Sequence, residues 1–138
     1  MRSFLTEPYR GMKFFIGNAE KDRNWQPVFA EHMASYPFEE LTGPDAKAQC
    51  DFILYIIDPG MQGISTIIQA VNDSNHHAAK TLFCTLFDAA NGEFSAHQKK
   101  SLNATGKMIV RNGGQWFTSL DDLVAFVFKP GIQMSVEI

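Results

Sequence analysis

The sequence predicts an α/β protein: a three-layer α/β/α sandwich with a mostly parallel, four- to five-stranded sheet of flavodoxin-like or Rossmann-like type. Two nearly apolar runs, Phe52–Ile57 (FILYII) and Thr81–Phe87 (TLFCTLF), are typical of parallel strands that are covered on both faces. A segment with helical features follows each run. Strands that alternate with helices form a parallel sheet with helices on both faces, and right-handed crossovers then favour the flavodoxin-like order.

The other elements follow from local start and stop signals. Asn24 and Ser119 are predicted to cap two helices, and Pro37 and Pro130 to end them. For residues 36–47 the sequence does not decide between a short edge strand and a loop. In chain order the predicted elements are a strand at 13–17, a helix at 25–35, a strand at 52–57, a helix at 64–79, a strand at 81–87, a helix at 93–103, a strand at 107–110 and a helix at 119–128.

Length and composition predict one soluble domain. The 138 residues divide into a leader at 1–11, a single α/β domain at 12–130, and a tail at 131–138 that forms an edge strand or an oligomer contact. The net charge of −3 gives no general attraction to a nucleic-acid polymer or an anionic membrane. No apolar run approaches the roughly 20 residues that span a bilayer, and acid and proline interrupt the N-terminus, so we expect a cytoplasmic location.

The sequence offers no metal or cofactor motif. Cys50 and Cys84 lie in or near predicted strands and are expected to be buried free thiols of a reducing compartment. No Cys or Asp stands at ligand spacing beside His76 and His77. The loop after the first strand has one glycine, Gly17, where a dinucleotide fingerprint has three, and no phosphate-binding GK[ST] follows.

The candidate site is expected at the carboxyl ends of the strands, where open α/β sheets bind ligands. Four loops are predicted to meet there, at 17–26, 58–66, 88–94 and 111–117.

In the first loop, Gly17 allows a ligand to approach the backbone closely, and Asn18 and Glu20 are polar candidates. A solvated loop explains Glu20 equally well. Trp25 is either a ligand-binding ring or part of the helix core.

In the second loop, Asp58 can receive a hydroxyl, act as a base, or cap the turn. Gly63 precedes the next helix. Ser65 and Thr66 can hold a phosphate or hydroxyl at its N-terminus, and helix capping alone would also explain them.

Three segments together resemble the nucleoside 2-deoxyribosyltransferase-like proteins. KFFIGNAEKDRNWQ resembles their first strand, glycine and loop, CDFILYIIDPGMQGISTIIQAVNDS is similar to their central strand and Thr-initiated helix, and TSLDDLVAFV is similar to their closing helix. The resemblance is scattered over residues 12–128. It implies a nucleoside or nucleotide ligand, no cofactor, and assembly as a homo-oligomer.

The resemblance also implies a catalytic glutamate in the Thr-initiated helix, which attacks the sugar and forms a covalent intermediate. Thr66 matches the initiating threonine, and Gln69 stands where that glutamate is expected. A neutral amide cannot act as the nucleophile. Asp73, about 6 Å further along the helix, is the nearest acid in it, while Asp58 or Glu20 could supply one from a loop.

Three hypotheses follow. The first is a nucleoside- or nucleotide-binding protein whose glycosidic transfer or hydrolysis is lost or weakened, with Gln69 as a hydrogen-bonding group. The second is an active deoxyribosyltransferase or N-glycosidase that uses Asp58, Asp73 or Glu20. The third is a non-catalytic oligomerisation or interaction module, because a fold alone does not choose a function.

Overall fold

The structure, a computed structural model, describes residues 12–19, 23–59, 63–87 and 92–137, and for residues 129–137 the backbone alone. Five strands form one sheet: β1 (Met12–Ile16), β2 (Phe38–Glu40), β3 (Phe52–Ile57), β4 (Thr81–Thr85) and β5 (Gln115–Phe117). The helices are α1 (Gln26–His32), α2 (Ala46–Gln49), α3 (Ile64–His76), α4 (Ala96–Arg111) and α5 (Leu120–Glu137), and a short 3-10 turn covers Ala78–Lys80.

The sheet is parallel throughout and has the order β2-β1-β3-β4-β5. This is the flavodoxin-like order, and helices flank the sheet, so the predicted three-layer fold is confirmed. One apolar cluster lies between the sheet and α1 and α5, and includes Trp25, Phe29 and Leu123. The other lies beneath α2, α3 and α4, and includes Ala70 and Ile109. Burial on both faces explains why β3 and β4 are almost wholly apolar.

Two helix starts and the cysteines agree closely with the sequence. Ser95 and Gln98 form a capping box at the start of α4, with each side chain bonded to the other residue's backbone. Ser119 Oγ accepts a hydrogen bond from the Asp122 amide at 3.2 Å, which confirms the predicted cap of α5. Cys50 and Cys84 are buried free thiols, as predicted.

The predicted strand at 107–110 is wrong, because these residues form the last turns of α4. Gly106 does not break the helix. A Cβ there would lie 2.2 Å from the Trp116 ring, so the glycine lets α4 pack closely on β5. The helix ends in a turn in which Gly113 has a φ of 106°. The loop from Arg111 to Gly114 therefore precedes β5 and lies at the opposite edge of the sheet from the predicted site.

Several boundaries also differ from the predictions. Trp25, rather than Asn24, is the N-cap of α1, and that helix ends at His32. The undecided segment at 36–47 contains β2 and the start of α2. The helix α5 continues through Pro130 to Glu137, so neither a helix end at that proline nor an edge strand in the tail is found. Among the described residues no helix is long and apolar enough to cross a membrane.

Candidate functional site

The candidate site lies where the sheet changes winding direction, between β1 and β3. From β1 the chain moves outward to β2, then returns to the other side of β1 as β3. A crevice forms at the carboxyl ends of two such strands, because their loops turn to opposite faces of the sheet. The loop after β1 and the loop after β3 carry most of the predicted residues. Because β1 and β3 pair in parallel, the two loops begin next to each other. The loop at 88–91 and Glu20 lie outside the described residues.

Asn18 fastens the end of β1 to β3. Its Nδ2 donates to the Ile56 carbonyl at 2.7 Å, and its Oδ1 accepts from the Ile56 amide at 3.0 Å. The Gly17 amide donates to the Leu54 carbonyl at 2.9 Å. Asn18 is 3% exposed, so its amide extends the pairing of the strands. The predicted binding residue Asn18 thus shapes the floor of the crevice.

Arg23 holds the loop after β1 against the end of β2. Its guanidinium makes two hydrogen bonds to the Glu40 carboxylate, at 3.0 and 2.9 Å, and others to the carbonyls of Ile16 and Asn18. Such a two-pronged pair fixes both partners in orientation as well as in distance. Glu40 was not predicted as part of this site, because nothing in a linear pattern pairs it with an arginine 17 positions away.

Beneath the loop, a buried polar group joins the sheet to α3. The Tyr55 hydroxyl donates to the Asp73 carboxylate, and Lys47 Nζ donates to the other carboxylate oxygen at 3.0 Å. Tyr55 is 0% exposed and Asp73 is 2% exposed. Burial raises the pKa of Tyr55, and the hydrogen bond to Asp73 and the negative charge of Asp73 raise it further. Tyr55 was missed, although it is the one residue with a polar tip in FILYII.

The Tyr55 ring also lies directly against Gly17. A Cβ on Gly17 would come within 1.9 Å of a ring carbon, so only glycine fits at the end of β1. Gly17 was predicted to let a ligand approach the backbone closely; in the structure the group that lies against it is the Tyr55 ring.

The helix α3 begins at a residue that has no capping side chain. Gly63 is its N-cap residue, with a φ of 71°, and among the described residues no side-chain cap of the first turn occurs. Ser65 and Thr66 lie inside that turn, so the capping explanation for them is wrong. The first turn also holds no acid. Its backbone N–H groups, with the positive end of the helix dipole, form a setting that suits an anion or a hydroxyl oxygen.

The predicted residues of α3 differ sharply in exposure. Thr66 is 2% exposed, whereas Ser65 and Gln69 face solvent. Gln69 Nε2 lies 3.4 Å from Ser65 Oγ, one turn closer to the start of the helix. Asp73 is buried, engaged by Lys47 and Tyr55, and about 15 Å along the axis from Gly63. The structure therefore does not bring Asp73 to the start of α3 as a replacement acid.

Two other predicted residues lie in the interior. Asp58 is 0% exposed directly after β3 and has an interaction partner of its own. Trp25 is 1% exposed and packs edge-on against Phe29 at 5.6 Å between ring centres. Trp25 is thus a core residue. Its prediction as a substrate-binding residue is wrong, because no face of the buried indole is open to a ligand.

The fold and the crevice define a flavodoxin-like α/β domain with a candidate ligand site at its β1/β3 switch point. Among the described residues no cluster of three or more potential metal ligands occurs. No protein-family model matches the chain, and no curated protein or solved structure gives a significant match.

Proposed function

We propose that this protein binds a nucleoside or nucleotide at the β1/β3 switch point, with glycosidic transfer or hydrolysis lost or weakened. The observation that carries the proposal is the start of α3, a helix of 13 residues that begins beside the switch point with glycine as its N-cap, no side-chain cap among the described residues and no acid in its first turn. Phosphate and hydroxyl oxygens are the groups that such a helix start favours. Binding there needs no metal and no cofactor.

Exposed polar side chains beside this helix start give the ligand further partners. Ser65 offers a hydroxyl, and Gln69 offers an amide that both donates and accepts. The contact between them, at 3.4 Å, is long for a hydrogen bond, so exchange for a ligand contact costs little. A neutral amide at this position supports binding over nucleophilic attack, because it cannot form the covalent sugar intermediate.

The enzymatic alternative is an active deoxyribosyltransferase or N-glycosidase. Asp73 gives it little support, because Lys47 and Tyr55 already occupy both oxygens of that carboxylate. Asp58 and Glu20 remain the acids of this alternative. Asp58 follows β3 directly, so a shift of the loop after β3 is the movement that would bring it to a ligand.

We also propose self-association, through the outer face of α3. Two isoleucines on this face, Ile64 and Ile68, are 70% and 63% exposed. The exposed stripe that contains them holds no Asp, Glu, Lys or Arg, and Ser65 and Gln69 lie at its side; the stripe consists of Ile64, Ile68, Asn72 and Asn75. Depletion of charge is typical of the centre of an interface, and a twofold contact between two such faces suffers no like-charge repulsion. The same face serves the further alternative of a non-catalytic interaction module.

The test is a thermal-shift titration with nucleosides and nucleotides, with and without the 2′-hydroxyl, combined with detection of released base by mass spectrometry. A ligand at about 100 times its Kd adds about 2.7 kcal/mol of stability. Gln69→Ala is expected to weaken the shift, while Asn72→Ala, an exposed amide one turn further along α3, leaves it unchanged.

The outcomes separate the three hypotheses. Stabilisation without released base supports the binding protein. Released base that Asp58→Asn abolishes supports the enzyme instead. If millimolar ligand gives no stabilisation and no released base, both the binding hypothesis and the enzyme hypothesis are contradicted, and the interaction module is left.

A further inference from the structure

We propose that the outer face of α4 is a docking surface for an acidic amphipathic helix of a protein partner. The helix α4 carries no Asp or Glu, and it carries four exposed cations, Lys99, Lys100, Lys107 and Arg111, called here the basic face. The whole chain has a net charge of −3, so the chain outside this helix, whose own charge is +4, has a net charge of −7. The positive charge is thus concentrated on one helix of an acidic protein.

The cations of the basic face lack the partners that buried or half-buried cations have elsewhere. Arg23 pairs with Glu40, Lys47 pairs with Asp73, and Lys80 donates to three backbone carbonyls near the end of α2. Within the part of the chain that the structure describes, no cation of the basic face has an ion pair with an acid. Their charge is therefore available to a partner.

Helix stability does not explain the basic face. Lys107 and Arg111 are four residues apart on one side of α4, a spacing at which like charges repel. Lys99 and Lys100 lie in the second turn, nearer the positive end of the helix dipole than its negative end. An exposed helix ordinarily mixes both signs of charge, which stabilises it. Arg111 lies in the last turn, where the helix dipole favours a cation, but Lys99, Lys100 and Lys107 gain no such support, and binding is the readier explanation for these three lysines.

The geometry of the basic face suits a helix laid along it. Lys100, Lys107 and Arg111 follow one stripe opposite the buried side of α4 and line a shallow, open groove. The stripe is about 17 Å long, which is three turns of an α-helix. Apolar side chains lie beside it, since Met108 is 43% exposed and Val110 is 50% exposed. Acids on the partner would meet the stripe, and an apolar residue of the partner would cover Met108, which lines the same groove.

The same features favour a polypeptide over a nucleic acid. The net charge outside α4 is negative, so the field at long range repels a polyanion. No Phe, Tyr or Trp, the larger rings on which bases stack, occurs in α4. A phosphate backbone would also leave the exposed apolar groups uncovered.

The experiment measures binding of a fluorescent peptide to the full chain by anisotropy at low salt. The peptide has about 16 residues, the length of α4, with glutamates in two i,i+4 rows and leucines in the next row. A second peptide replaces each glutamate with glutamine. The test variant is Lys100→Gln/Lys107→Gln. The matched control, Gln26→Glu/Ala30→Glu, makes the same change in net charge on exposed positions of α1, across the sheet.

The expected result is binding of the acidic peptide, weakened by salt, and little binding of the neutral one. The test variant is expected to bind about fivefold more weakly, which corresponds to about 1 kcal/mol. Its Tm should be equal to or above that of the parent, because the change removes repulsion; this separates lost binding from lost folding. The control variant should bind like the parent.

Three results would overturn the proposal. They are no binding of the acidic peptide at millimolar concentration, equal loss of binding in the test and control variants, and tighter binding of a single-stranded RNA of equal charge. The last result would assign the basic face to nucleic acid. None of them bears on the site at the β1/β3 switch point, which lies at the start of a different helix.

Discussion

Tyr55→Phe tests whether the buried polar group beneath the crevice stabilises the fold. The change removes the hydroxyl that donates to Asp73 and leaves the ring that packs against Gly17. A hydrogen bond to a charged group contributes about 1.5 to 3 kcal/mol. Both partners are almost fully buried, so water cannot readily replace the lost donor. Lys47 still contacts the carboxylate at 3.0 Å, which keeps the charge paired. We therefore expect a loss of about 2 to 3 kcal/mol.

Urea denaturation measures this loss as a lower midpoint with an unchanged slope. Tyr36→Phe is the matched control, because Tyr36 is half-buried, stacks on Phe128 and makes no hydroxyl hydrogen bond within the described residues. It should leave stability unchanged. If Tyr55→Phe lowers the free energy of unfolding no more than Tyr36→Phe does, the argument is refuted, because the buried hydrogen bond would then contribute no more than a hydroxyl without a partner among the described residues.

The same residue predicts a dependence on alkaline pH. The pKa of Tyr55 is raised above its usual value of 10 by burial and by Asp73, so the folded state keeps the proton after the unfolded state has lost it. The contribution is thus fully present below pH 10 and falls by about 1.4 kcal/mol per pH unit above it. Burial also raises the pKa of Cys84, which adds a similar slope. In Tyr55→Phe the part of this pH dependence that comes from Tyr55 should vanish and the part from Cys84 should remain. Denaturation at several alkaline pH values measures the difference.

Three further predictions concern packing, association and capping. Gly17→Ala should lower the free energy of unfolding by about 1 to 3 kcal/mol, because its Cβ would collide with Tyr55; unchanged stability would show that the ring moves freely. In sedimentation velocity, Ile68→Glu should dissociate the oligomer, and an equimolar mixture with Ile68→Lys should restore it. Val110→Glu, at another exposed apolar position, should have no effect, and a monomeric parent would contradict the association proposal. Ser95→Ala should lower the free energy of unfolding, measured by thermal denaturation, by about 1 kcal/mol. Unchanged stability would mean that contacts other than the capping box hold the start of α4.

Local pattern was enough to predict the layers of the fold, and it places the candidate site, which stays a prediction, at the carboxyl ends of β1 and β3. β3 and β4 are apolar on both faces because helices cover both sides, and this signal is written in consecutive residues. The loops after β1 and β3 follow from where those strands end. The lack of an acid in the first two turns of α3, on which the expectation for Gln69 depends, was equally visible in the sequence.

Tertiary structure alone decided the last strand and the use of each polar side chain. Residues 107–110 fit a strand or a helix by composition, and the contact of Gly106 with Trp116 accompanies the helix. Asn18 was predicted to bind a ligand, but its amide completes the pairing with Ile56, 38 positions away. Asp73 is likewise engaged by Lys47, 26 positions away. Periodicity reports which residues are buried, whereas hydrogen-bond partners depend on which distant strands and helices become neighbours, and only the folded chain fixes those.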